Sequence, residues 1–182
     1  MVRRRIHDLR VLFLFAFLFA VGTAAIARQT AASTTIILVR HAEKAAEPAD
    51  DPPLTAVGET RALALVDAVR SAGVQVIYST RWKRTQQTAA PTSQRLGIPV
   101  TTFDVTPGAE GYGELYAAEL LSKHRGKVVL VVGHSNTVPA ILRGLGVIDA
   151  PAIVDSDYDN LFIVTVPETG AARVVRAQFG AR

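Results

Sequence analysis

The sequence predicts an α/β protein, a three-layer α/β/α sandwich around a mostly parallel sheet with an antiparallel edge hairpin. Three observations carry that reading. Two short runs, Thr35 to Val39 and Lys127 to Val132, are almost wholly apolar and rich in β-branched residues. Runs of that length and composition are strands buried on both faces, as parallel sheets require. Segments with helical spacing alternate with the strands, which places helices on the sheet. Near the end, two alternating segments, Asn160 to Val166 and Arg173 to Gln178, flank Glu168-Thr169-Gly170, as a hairpin does.

The elements follow in the order βαβαβαβαββ. After the first strand, residues 45–53 carry Pro48, Pro52, Pro53, Asp50 and Asp51 and read as a loop. Thr55 is a helix N-cap, and Leu63, Val66 and Val69-Arg70 continue at helical spacing. Gly73 ends that helix. Val74 to Tyr78 is a strand. Ser79 to about Gly97 is a second helix, entered through a turn, with Pro91 expected to kink or break it. Val100 to Phe103 is a third strand, and residues 104–111 form a Pro/Gly-containing loop. Leu115 to His124 is a helix closed by Gly126. The second apolar strand ends in Gly133-His134, and Val138 to Leu145 is a helix beginning near Pro139. Crossovers between the parallel strands should be right-handed.

The chain has 182 residues, 49% of them hydrophobic and 20% charged, enough for one ordinary core. There is no cysteine, which excludes disulfides, a thiol nucleophile and thiolate metal sites. The formal charge of +4 is concentrated at the start. Arg3, Arg4, Arg5 and Arg10 are offset there only by Asp8, so the rest of the chain has 16 basic and 15 acidic residues. The high pI therefore gives no reason to expect a nucleic-acid partner. Residues 1–27 have the form of a secretory leader: a basic start, an apolar run from Val11 to Val21, and Ala25-Ile26-Ala27 as a cleavage site. The alternative is an uncleaved anchor, extending the apolar stretch to Ala27, and that is the one route by which a membrane would be involved. Residues 28–33 form a tail, and residues 34–182 the domain. The expected location is periplasmic or secreted.

Both apolar strands end in histidine, at Arg40-His41 and Gly133-His134. In open α/β sheets ligands bind beyond the carboxyl ends of the strands, so two such histidines meet if their strands are neighbours. Arg40 and Arg84 bring two guanidiniums to the same edge. Arginine forks match phosphate oxygens, and helix N-termini beside the strand ends add N–H donors. The rival chemical reading is zinc held by the two histidines with Glu43 or an aspartate. Two arginines are electrostatically awkward there and no H-E-x-x-H motif is present, so no metal and no cofactor are expected. A serine hydrolase built on Ser135 lacks the G-x-S-x-G elbow.

Four ordered segments resemble the histidine phosphatase superfamily, which includes cofactor-dependent phosphoglycerate mutases, acid phosphatases and phosphohistidine phosphatases. They are Arg40-His41-Ala42-Glu43, Leu54-Thr55-Ala56-Val57-Gly58, Ser79 through Arg84 to Thr88-Ala89, and Val132-Gly133-His134-Ser135. The resemblance implies that His41 is a nucleophile that becomes a phosphohistidine. It further implies that Arg40, Arg84 and His134 hold the phosphoryl oxygens. The proton donor departs from the family pattern. Asp104, Glu110 and Glu114 are all available, and Glu110, in the glycine-containing loop, is preferred. The expected substrate is a phosphorylated small molecule or a phosphoprotein. Two alternatives stand beside a phosphomonoesterase: a phosphohistidine-protein phosphatase, and an inactive domain that binds a phosphorylated ligand.

Overall fold

The computed structural model describes residues 33–103 and 111–181. The leader and tail lie outside those residues, apart from Ser33, and so do Asp104 and Glu110. Residues 31–182 form one compact unit.

Six strands make one sheet. They are β1 (Thr34–Arg40), β2 (Val76–Ser79), β3 (Val100–Thr102), β4 (Val128–Gly133), β5 (Asn160–Val166) and β6 (Arg173–Gln178), in the spatial order β3-β2-β4-β1-β5-β6. The first four are mutually parallel, while β5 runs antiparallel to both β1 and β6. The predicted parallel sheet with an antiparallel edge hairpin is therefore present.

The pleat of β1 explains its unbroken apolar run. Ile36 and Leu38 point into one core, together with Tyr116, Leu120, Ile141 and Leu142. Ile37 and Val39 point into the other, with Leu65, Val69 and Ala89. Successive side chains alternate between faces, so a strand covered on both sides has no polar face to show. The covering helices are α3 (Tyr112–Lys123) and α4 (Thr137–Gly144) on the first face, and α1 (Ala56–Val69) and α2 (Lys83–Leu96) on the second.

Three local expectations are corrected. In α1 the buried face is Gly58, Arg61, Ala62, Leu65 and Val69, while Leu63 is exposed. Arg61, an arginine, occupies the buried stripe, so apolar spacing alone points to the wrong face. Helix α2 runs unbroken through Pro91. Ala89 and Thr92 on either side are fully buried, and their packing outweighs the lost backbone bond. Helix α3 begins at Tyr112, three residues earlier than predicted, because Gly111 takes a left-handed conformation (φ +71°) and starts it.

Candidate active site

Strands β1 and β4 are neighbours, and their register sets Arg40 opposite Gly133. The next residue on each strand is therefore a histidine at the same level. His41 continues the ladder by one bond, its N–H donating to the Gly133 carbonyl at 2.9 Å. The two imidazoles stand edge to face with centroids 5.4 Å apart. Both are buried, at 3% and 8% exposure.

The turn that carries His41 is held at each of its next residues. Ala42 N–H donates to Thr88 Oγ1 (2.9 Å), and that hydroxyl donates to the Arg84 carbonyl (2.7 Å). The Glu43 carbonyl accepts the Thr55 N–H at 2.9 Å. Thr55 in turn caps α1, its hydroxyl accepting from Gly58 N–H. Gly58 lies so close that a Cβ there would collide with the Glu43 carbonyl oxygen, so only glycine lets α1 seat against the turn. The Glu43 carboxylate receives Arg61 Nε and Nη2, while Nη1 and Nη2 also donate to the carbonyls of Phe179 and Ala181. Burial pushes this carboxyl up, but the Arg61 hydrogen bonds, the Glu43 backbone N–H and the charges of Arg61 and Arg40 together hold it below its ordinary range. Glu43 thus braces the turn against the chain end and faces Arg61, not the histidines.

His41 Nδ1 lies 2.8 Å from the Ala42 carbonyl, an acceptor only, so Nδ1 carries the proton and Nε2 the free lone pair. Burial, then the charges of Arg40, Arg84 and Lys44, pulls the imidazole down to about 4, against the opposing pull of that carbonyl. His134 is pulled down to about 3 by burial, then by His41, Arg84 and Arg40. Both rings are neutral at pH 7. His134 Nε2 meets Thr80 Oγ1 at 2.9 Å, and Thr80 Oγ1 meets Thr85 Oγ1 at 2.8 Å. The Thr85 hydroxyl also lies 2.8 Å from the Trp82 carbonyl. The backbone of His134 is fixed separately, its N–H donating to Thr137 Oγ1 at 2.8 Å in the first turn of α4.

Arg40 is caged by the loop before β5. Its Nη1 donates to the carbonyls of Val154, Asp155 and Asp157 at 2.9, 3.0 and 3.2 Å. Its Nη2 lies 3.6 Å from Asp155 Oδ1, and its guanidinium carbon 4.2 Å from the centre of the Tyr158 ring. Sequence reasoning found Arg40, Arg84, His41 and His134, and the structure brings all four to one cavity. It missed Tyr158, Asp155, Thr80 and Thr85. Thr80 and Thr85 lie inside a segment already singled out, whereas the loop at 154–158 gave no signal except an aromatic between acids.

The cavity has a volume of about 420 Å³ and is lined by Arg40, His41, Lys44, Arg81, Trp82, Arg84, His134, Ser135, Asn136 and Asp155. Glu114 does not line it; that side chain belongs to a separate cavity with Tyr112, Thr137 and Arg143. Among the described residues no group of His, Asp and Glu side chains forms a metal-ligand set. The Nε atoms of Arg40 and Arg84 are buried and have no hydrogen-bond partner among the described residues. Two guanidiniums beside a neutral imidazole in one cavity match the oxygens of a tetrahedral oxyanion.

Residues 36–105 match the histidine phosphatase superfamily (branch 1). That stretch holds Arg40, His41, Glu43, Gly58, Thr80, Arg84 and Thr88, and His134 lies beyond it. No curated protein matches the chain. Solved structures with the same fold include a provisionally assigned phosphohistidine phosphatase, SixA, from Agrobacterium tumefaciens. It is 24% identical, with 82% of this chain and 98% of that one covered and a TM-score of 0.61. A mycobacterial glucosyl-3-phosphoglycerate phosphatase is 16% identical over 78% of this chain and 97% of its own, with a TM-score of 0.61. A phosphoserine phosphatase from Entamoeba histolytica, solved with 3-phosphoglyceric acid, is 16% identical over 82% and 98%, with a TM-score of 0.60. At these identities the likeness establishes the fold.

Proposed function

We propose that the protein is a phosphatase that hydrolyses a phosphomonoester through a phosphohistidine on His41. The observation that carries this is the state of His41: a neutral, buried imidazole with Nδ1–H on the Ala42 carbonyl and Nε2 unblocked in a cavity with two arginines. Nε2 attacks phosphorus in line, and the P–O bond to the leaving oxygen breaks. The leaving oxygen takes its proton from Glu110, the acid preferred on sequence grounds. The phosphorylated ring is then a cation, stabilised by the Ala42 carbonyl that still accepts Nδ1–H, and this keeps it a good leaving group. In the second step water attacks phosphorus, the P–N bond breaks, and Glu110 takes the proton back. Arg40, Arg84 and His134 stabilise the charge on the equatorial oxygens, and such positioning and electrostatics are most of what phosphoryl transfer needs.

The proposal includes a metal-independent reaction, since guanidiniums occupy the place of cation ligands; chelator should leave the rate unchanged. It also includes export to the periplasm or beyond, with cleavage near Arg28. The match over residues 36–105 supports the reading. The test is phosphate release from a panel of phosphate esters, with turnover quenched and the label mapped. Acid-labile phosphate is expected on His41 and none on His134. His41→Ala should abolish it. His134→Ala should slow its formation by roughly a hundredfold, the usual cost of one transition-state donor. Label on His134, or full turnover by His41→Ala, would reverse the assignment.

A further inference from the structure

The phosphoryl-binding set does not use the whole cavity. Lys44, Arg81 and Trp82 also line it. Arg81 and Arg84 both pack on Trp82, their guanidinium carbons 5.0 and 5.1 Å from the ring centre. Such packing is attractive, and it rests Arg81 on the same ring that carries Arg84. Lys44 follows the catalytic turn and is fixed at backbone level by its bridge to Leu54. Its charge reaches His41, whose basicity it lowers. Neither Lys44 nor Arg81 has a carboxylate partner among the described residues. Asp51, an acid near Arg84, is bound to Lys83, through its backbone N–H at 2.8 Å and Nζ at 4.0 Å.

The lining has four cations, Arg40, Lys44, Arg81 and Arg84, and one carboxylate, Asp155, which lies against Arg40. With both histidines neutral, three positive charges remain. With Asp155 set against Arg40, those three are Lys44, Arg81 and Arg84. A phosphomonoester dianion cancels two of them, and one positive charge is left over.

We propose that the natural substrate is a small phosphomonoester carrying a second acidic group, a carboxylate or another phosphate, and that Arg81 and Lys44 bind that group. Trp82 is then a positioning residue that sets Arg81 at a fixed distance from Arg84. The phosphoryl end of this proposal rests on the phosphatase reading above, while the second anion site rests on Arg81, Lys44 and Trp82 alone.

The two can be tested apart with ligands that cannot turn over. Binding of 3-phosphonopropionate and of 3-hydroxypropylphosphonate to the full chain is measured by calorimetry. They have the same length and the same phosphonate, and differ in a carboxylate against a neutral hydroxyl. Trp82 is the single tryptophan, so its emission gives a second readout. The carboxylate ligand should bind about tenfold more tightly, the worth of two partly screened ion pairs. That ratio should fall to about one in Arg81→Gln/Lys44→Gln. On the unsubstituted protein it should also fall in 1 M salt, where the screening length is about 3 Å. Equal affinity for the two ligands would overturn the second anion site and leave the phosphoryl site standing. Failure of both to bind would overturn both.

Discussion

Acid should unfold this protein through its active site. His41 and His134 are buried with pKa values of about 4 and about 3, whereas an unfolded histidine titrates near 6.5. Between those limits the unfolded chain binds protons that the folded one refuses, so stability falls as pH drops below 6.5. The loss is complete for each ring only below its folded value. At pH 5 an unfolded histidine is almost fully charged while both site rings are still almost neutral. Linkage then gives a loss of about 2 kcal/mol per ring, about 4 kcal/mol together, relative to the plateau above pH 7. Against a total stability on the order of 5–15 kcal/mol for a domain, that is a large share. Urea unfolding at pH 7 and pH 5 measures it. The same pair of measurements on His41→Gln/His134→Gln removes the two rings and leaves every other titrating group in place. The unsubstituted protein should lose about 4 kcal/mol more than the double variant between those pH values. Equal losses would refute the claim that the site holds its imidazoles neutral, and with it the argument that His41 is ready to attack without giving up a proton. The acid loss should also shrink in the presence of inorganic phosphate, because a bound anion offsets the arginine charges that help keep the rings neutral.

Two further outcomes follow from the supports of the site. Gly58→Ala places a Cβ against the Glu43 carbonyl oxygen, where backbone and not a flexible side chain must move. A cost of about 1–3 kcal/mol is expected for such overpacking, read from the urea midpoint, and an unchanged midpoint would show that α1 can retreat from the turn that carries His41. Thr80→Val keeps the shape and removes the hydroxyl that meets His134 Nε2 and Thr85. It should lower kcat by roughly tenfold with little change in KM, the pattern of a group felt only in the transition state, and Thr80→Ser should restore it. Equal kcat for Thr80→Val would mean that packing alone orients His134.

The parts of this molecule that were legible in the sequence are those whose side chains state their own surroundings. Strands β1 and β4 could be read because burial on both faces leaves an unbroken apolar run, and the fold class follows from that. His41, His134, Arg40 and Arg84 could be read because few other reasons put such groups at strand ends and at the start of a helix. The register of β1 on β4 could not be read, since either strand slid by two residues would still bury the same faces. Yet that register is what sets the two imidazoles 5.4 Å apart. The cage around Arg40 was equally hidden. It is made of the carbonyls of Val154, Asp155 and Asp157, which every residue type possesses. Arg61 was hidden for the opposite reason. Its side chain argues for solvent, but a carboxylate and two carbonyls satisfy it inside, and only the fold brings Phe179 and Ala181 to it. What the sequence shows of a site is thus its reacting groups, while the groups that aim them are largely backbone. The aim is the more demanding part: a guanidinium held by three carbonyls is fixed in one direction.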